Sequence, residues 1–188
     1  MKRLLLLALL LGLPAWAQSP LPPSVPDPAK ELKGAPLVEA LRRGGFVLFM
    51  RHAQQVREDP AREKQDCEEA RLSPAGRDQA RTVGAGIRAL AIPVGAVFAS
   101  EYCRARQTAE LLGLGPVTPT PDLNMTGPFP ERKKRIAQSP PTGKNTLLVS
   151  HSQVGIAEVL VYRPDGAGGA EPLARVKVED WEALLAIK

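Results

Sequence analysis

Val47-Leu48-Phe49-Met50-Arg51-His52-Ala53 runs a short apolar stretch straight into a paired arginine and histidine. Unbroken apolarity over so few residues is the pattern of a strand buried on both faces, which belongs in the parallel part of an α/β sheet. The arginine offers a planar fork of donors that matches phosphate oxygens, and a neutral imidazole beside it is a competent nucleophile toward phosphorus. A second stretch, Thr146-Leu147-Leu148-Val149-Ser150-His151-Ser152, ends the same way, and the chain holds only two histidines. Ligands of open α/β sheets sit beyond the carboxyl ends of the strands, so two such exits bring both imidazoles to one crevice.

Outward from these strands, Leu37 to Arg43 carries apolar residues at helical spacing and stops at Gly44-Gly45. Gln54 to Arg71 is charged and poor in large apolar residues, which predicts a surface loop beside the site. Ser73-Pro74 opens a helix, with the serine as cap, the proline at the first helical position, and Ala80, Val83, Ile87 and Leu90 as its core stripe. Pro93 ends that helix, Val94 to Ala99 is a strand, and Tyr102 to Leu112 is a helix stopped by Gly113. Val117 to Thr120 reads as a short strand, and Pro121 to Pro141 shows no period. Ala157 to Tyr162 and Ala174 to Val178 read as a hairpin across the turn-rich Pro164 to Gly169. Glu179 to Ile187 reads as a closing helix that packs Trp181, Leu184 and Leu185 on the sheet.

The amino-terminal region has a different character. Lys2 and Arg3 precede the apolar run Leu4 to Leu13, and Ala15-Trp16-Ala17 supplies small residues, so residues 1–17 read as a secretory signal peptide. The run is far shorter than the roughly 20 residues a bilayer span needs, so no stable membrane anchor is expected after cleavage. Residues 18–36 are rich in proline and read as an extended linker, leaving residues 37–188 as one domain that is secreted or periplasmic. Losing Lys2 and Arg3 takes the formal charge from +5 to +3, which suits small anions and does not call for nucleic acid. Cys67 and Cys103 lie at neither redox nor zinc spacing; an oxidising compartment permits a bridge between them, and two free thiols remain the alternative.

Arg51-His52-Ala53, then Ser100-Glu101-Tyr102-Cys103-Arg104-Ala105-Arg106-Gln107-Thr108-Ala109, then Val149-Ser150-His151 resemble, in order and setting, the motifs of the histidine phosphatase (phosphoglycerate-mutase-like) superfamily. Leu72-Ser73-Pro74-Ala75-Gly76 also matches the segment that opens a helix in that family. The resemblance implies a three-layer α/β sandwich with a mostly parallel central sheet and helices on both faces. It implies His52 as nucleophile, Arg51 and Arg104 as the phosphoryl clamp, and His151 as a second imidazole donating to the transferring group. Arg57 is a further candidate for phosphate binding from the loop. No metal and no cofactor is called for, because arginines stand where other phosphatases place cations.

The chain departs from the family pattern at the general acid, which should follow a leucine after the second motif. Here the run is Pro121-Asp122-Leu123-Asn124-Met125-Thr126, and Asp122 and the more distant Glu158 are the two substitutes. A serine-hydrolase reading of Ser150 lacks a G-x-S-x-G elbow. The sequence therefore points to a metal-independent phosphomonoesterase acting on a small phosphorylated substrate. A catalytically weak or inactive exported phosphate-binding protein and a phosphate mutase are the alternatives.

Overall fold

The computed structural model describes residues 26–27, 29–56, 67, 71–126, 129–151 and 154–187. The signal segment 1–17, residues 18–25 and 28 of the linker, and Arg57 lie outside them. The chain builds α1 (Gly34–Arg43), β1 (Val47–Arg51), α2 (Pro74–Ala89), β2 (Val94–Ser100), α3 (Cys103–Leu112), β3 (Val117–Thr120), a 3-10 turn (Pro121–Leu123), α4 (Phe129–Ile136), β4 (Asn145–Ser150), β5 (Val159–Pro164), β6 (Ala170–Val176) and α5 (Asp180–Leu185).

All six strands form one sheet in the order β3-β2-β4-β1-β5-β6. β3, β2, β4 and β1 are parallel neighbours, while β5 runs antiparallel to both β1 and β6. The apolar run of β1 is central because both of its faces are covered. Leu48 and Met50 join Leu147, Val149, Val83, Ile87, Leu41 and Trp181 in the larger core. Val47 and Phe49 join Leu148, Leu160, Leu123 and Ile136 in the smaller one. Each such side chain contributes roughly 1.5–3 kcal/mol by leaving water. The result is the three-layer sandwich: α1, α2, α3 and α5 belong to the larger core, and the 3-10 turn with α4 covers the other face.

α2 starts as its sequence dictates. Ser73 has extended backbone (φ −64°, ψ 163°), and its Oγ accepts from Gly76 N–H at 3.0 Å, a cap worth about 1 kcal/mol. A Cβ on Gly76 would lie 1.9 Å from the carbonyl oxygen of Gln54, so this helix rests directly on the backbone that leaves β1. The helix stops before Pro93, at Ala89, because Ala91 turns into the left-handed region (φ 54°).

Several elements differ from the sequence expectation. α1 begins at Gly34, three residues ahead of Leu37. α4 was unexpected, since its sequence FPERKKRI holds few apolar residues. Its legible signal is electrostatic: Glu131 lies in the first turn and Lys133, Lys134 and Arg135 in the last, the order that complements a helix dipole. The hairpin strands are displaced from the expected ranges. Ala157 has φ 57°, which delays β5 to Val159, and β6 begins ahead of Pro172 because an edge strand tolerates the missing N–H. In α5, Trp181 and Leu184 are buried as expected, but Leu185 is 43 % exposed and faces solvent.

Candidate active site

The register of β1 on β4 decides the site. Arg51 pairs with Ser150, and His52 N–H donates to Ser150 O at 3.0 Å, so the residues leaving both strands, His52 and His151, stand side by side. Their ring centroids are 5.1 Å apart, and both side chains are buried. β2 ends one strand further along and delivers Ser100, after which α3 opens with Cys103 and Arg104.

Arg104 lies between the imidazoles. Its Nε donates to His52 Nε2 at 2.9 Å and to His151 Nδ1 at 3.2 Å, and its Nη2 is 2.9 Å from the same Nδ1. A guanidinium carries only donors, so both ring nitrogens present lone pairs to it. His52 Nδ1 is 2.9 Å from the carbonyl of Ala53, which places the His52 proton on Nδ1 and leaves Nε2 as the free lone pair. Burial, with the charges of Arg104 and Arg51 assisting and the Ala53 carbonyl opposing, lowers the His52 pKa to about 4. Burial first, then Arg104, His52, Arg132 and Arg51, lowers that of His151 to about 2. Both rings are thus neutral in the free protein at ordinary pH. Arg51 Nη1 donates to Val154 O at 2.8 Å, which anchors this second cation beside the pair.

The segment around Arg104 is held from several sides. Thr108 Oγ1 donates to Arg104 O at 2.6 Å and accepts from Ala53 N–H at 3.0 Å, locking α3 to the backbone that follows His52. Gln107 Oε1 accepts from Leu72 N–H at 2.9 Å. Cys67 and Cys103 form a disulfide with a Cα–Cα distance of 5.2 Å, so one of the two sequence alternatives is realised, directly before Arg104. Tyr102 adds an aromatic wall, its centroid 5.1 Å from that of His151 and 5.3 Å from Arg104 Cζ.

The structure thus brings Arg51, His52, Arg104 and His151 together. The two acid candidates are engaged elsewhere. Asp122 Oδ2 accepts from Arg135 Nη2 at 2.6 Å and Nε at 3.0 Å, and that pairing holds its carboxyl below the usual range. Glu158 Oε1 lies 3.0 Å from Arg175 Nε, and its Oε2 accepts from Gly155 N–H at 2.5 Å. Two residues past Leu123, where the family pattern calls for the acid, Met125 places its Sδ 3.9 Å from Arg104 Nη2.

Sequence reasoning missed Ser100, Asn124, Tyr102, Thr108 and Arg132. Ser100 and Thr108 were visible as polar residues flanking Arg104 in the second motif. Asn124 and Arg132 had no signal, because the 3-10 turn and α4 bring them in. Among the described residues, no group of three or more histidine, cysteine, aspartate or glutamate side chains gathers as a metal site.

The sequence model of the histidine phosphatase superfamily (branch 1) matches residues 47–125, the stretch from β1 through the 3-10 turn. No curated protein matches the sequence significantly. Among solved structures, the protein histidine phosphatase SixA complexed with tungstate is similar, with a TM-score of 0.60 and 16 % identity, covering 72 % of this chain and 98 % of that one. A Nakamurella multipartitia protein given the name phosphohistidine phosphatase SixA superposes with a TM-score of 0.56 at 20 % identity, covering 70 % of this chain and 95 % of that one. An Escherichia coli protein given the name alpha-ribazole-5'-P phosphatase gives 0.50 at 15 % identity, covering 69 % and 95 %. These likenesses establish the shared fold, and the segment from β1 through the 3-10 turn, which carries His52 and Arg104, is similar to the sequence pattern of the histidine phosphatase superfamily.

Proposed function

We propose that the chain is a metal-independent phosphomonoesterase that works through a phosphohistidine on His52, with a small phosphorylated molecule as substrate. The observation that carries this reading is the fixed tautomer of His52. Its Nδ1 is anchored on Ala53 O and its Nε2 lone pair points at Arg104. An incoming phosphoryl group takes over the donors of Arg104, which frees the lone pair it displaces. Nε2 then attacks phosphorus as the P–O bond to the leaving group breaks, and Arg51 and Arg104 hold the charge on the equatorial oxygens. In the second step water attacks the phosphohistidine, the N–P bond breaks and phosphate is released. The fold relative seen with tungstate supports an oxyanion site in this architecture.

Secretion or a periplasmic location belongs to the same proposal. The Cys67–Cys103 bridge supports it, because disulfides persist in oxidising compartments. Met125 at the acid position favours one second reading, an exported phospho-ligand-binding protein of the same fold with little turnover.

The deciding experiment is release of p-nitrophenol from p-nitrophenyl phosphate by the mature chain in the presence of a chelator, comparing wild type with His52→Ala. The proposal expects turnover in wild type alone, with an acid-labile, base-stable phosphoryl label on the quenched enzyme. No turnover in wild type, together with heat protection by inorganic phosphate, would replace the enzyme with the binding protein.

A further inference from the structure

Behind His151 runs a chain of hydrogen bonds in which the position of each proton follows from its neighbours. His151 Nδ1 must accept, because it lies 2.9 Å from Arg104 Nη2. In a neutral ring the proton is then on Nε2, which is 3.0 Å from Ser100 Oγ. Ser100 is fully buried, and its Oγ is also 2.9 Å from Asn124 Oδ1 and 3.3 Å from Tyr102 N–H. The Asn124 amide is oriented by Glu101: Oδ1 accepts from Glu101 N–H at 2.9 Å, and Nδ2 donates to the Glu101 carboxylate at 2.8 Å. Asn124 Oδ1 is therefore an acceptor, so the Ser100 hydroxyl spends its only proton there and turns its lone pairs to Tyr102 N–H and His151 Nε2–H. Arg132, buried at the start of α4, donates from Nη2 to Asn124 O and pins the backbone that carries this amide.

We infer that Ser100 and Asn124 are positioning residues that hold His151 in the Nε2-protonated tautomer, with Nδ1 turned toward the phosphoryl pocket. Their part in turnover rests on the phosphatase reading above, but the tautomer is a property of the free protein. Ser100 accepts from Nε2–H whether His151 is neutral or has gained a second proton on Nδ1. The ring can therefore become a donor to a phosphoryl oxygen without turning, which keeps the geometry ready for transfer.

Two histidines make the test clean, since a 15N spectrum of the imidazole nitrogens contains two rings. The untagged wild-type protein is expected to show one Nδ1-protonated ring, which disappears in His52→Ala, and one Nε2-protonated ring. In Ser100→Ala the Nε2–H of the second ring loses its acceptor, the ring is no longer held against Arg104, and it should become a mixture of tautomers. For that variant kcat on p-nitrophenyl phosphate should fall roughly 10- to 100-fold, as for loss of other partners that orient a functional histidine. The affinity for inorganic phosphate should change less than about threefold, and Ser100→Thr, which keeps the hydroxyl, should restore both kcat and tautomer. Nδ1 protonation of His151 in wild type overturns the inference, and so does a Ser100→Ala variant with unchanged tautomer and unchanged kcat. The spectrum needs no catalysis, so an inactive wild type would remove the phosphatase reading alone, whereas the wrong tautomer in an active enzyme would remove this one alone.

Discussion

Arg104 and His52 are joined by a hydrogen bond, Nε to Nε2 at 2.9 Å, which in the proposed mechanism puts the group that clamps phosphate on the atom that attacks it. In that mechanism binding and activation are one event: a phosphoryl oxygen that captures Arg104 also releases the nucleophile. Lysine keeps the charge but has no fork to span the two imidazoles. Arg104→Lys is expected to lower kcat/KM on p-nitrophenyl phosphate roughly 10²- to 10³-fold, the scale of losing one donor to developing charge. Steady-state kinetics on a variant with a wild-type melting curve checks this, and a loss below about fivefold would take Arg104 out of the transition state.

In the proposed mechanism the neutral state of His52 sets the acid limb of activity. Its folded pKa is lowered to about 4 from 6.5, so kcat/KM, after correction for substrate ionisation, should hold down to about pH 4 and fall below it. The same shift governs stability. Between pH 6.5 and pH 4 the unfolded chain binds a proton at this ring that the folded chain excludes, so stability rises with pH through that window and is lost as pH falls. For His52 alone the loss is about 3 kcal/mol on reaching pH 4, and His151, lowered to about 2, adds a like loss over the same window and continues the decline below it. Urea unfolding at stepped pH would show this slope, and His52→Gln should roughly halve it, leaving the part due to His151. An activity limb centred near pH 6.5 would contradict the burial of the ring.

How much of this was legible in the sequence depends on what each residue leans on. β1 and β4 read clearly because a strand buried on both faces needs continuous apolar residues, and the histidines follow directly from the ends of those runs. Arg104 read clearly through its motif and its place in the first turn of α3. Asn124 and Arg132 were invisible, because their roles come from tertiary placement: Arg132 is 2 % exposed and held by backbone carbonyls, which a basic run of four residues does not announce. Asp122 illustrates the opposite error. A carboxylate near, though not at, the expected position offered itself as a substitute acid, while the unforeseen α4 brings Arg135 to pair with it.

The disulfide closes a 36-residue separation and sits beside Arg104. Chain-entropy arguments give such a loop about 4 kcal/mol of stabilisation, which for a domain of this size is roughly 10 °C in melting temperature. Cys67→Ser and wild type treated with dithiothreitol are each expected to melt lower by about that amount, and kcat should fall with them because Cys103 directly precedes Arg104. Thermal denaturation with and without reductant measures this. Equal melting temperatures would show the bridge to be dispensable.

Gly76 tests how tightly α2 fixes the first motif. A methyl group there would meet Gln54 O at 1.9 Å, and this carbonyl also accepts from Ser73 N–H at 2.9 Å, so it has little freedom to yield. Gly76→Ala should cost about 1–3 kcal/mol by overpacking and move the backbone two residues beyond His52. Urea unfolding should register the loss in stability, and kcat should drop more than KM rises. Unchanged values in both would mean that the helix can withdraw from the motif without consequence.

Asp122 and Glu158 can be separated from the general acid by the leaving group. Asp122 is held ionised by Arg135, and an ionised carboxylate has no proton to give. Without assistance from either residue, the leaving oxygen departs as an anion. Aryl phosphates should then react roughly 10²- to 10⁴-fold faster than alkyl phosphates, the span that proton donation normally closes. Asp122→Asn should change kcat/KM less than about threefold on either class while lowering stability by about 1 kcal/mol through the lost ion pair. Glu158→Gln should likewise show its effect in stability, because its carboxylate ties β6 to the turn at Gly155. A variant of either residue that left aryl phosphates untouched and slowed alkyl phosphates a hundredfold would identify that residue as the acid. The guanidinium beside it would then be a brake that the substrate releases.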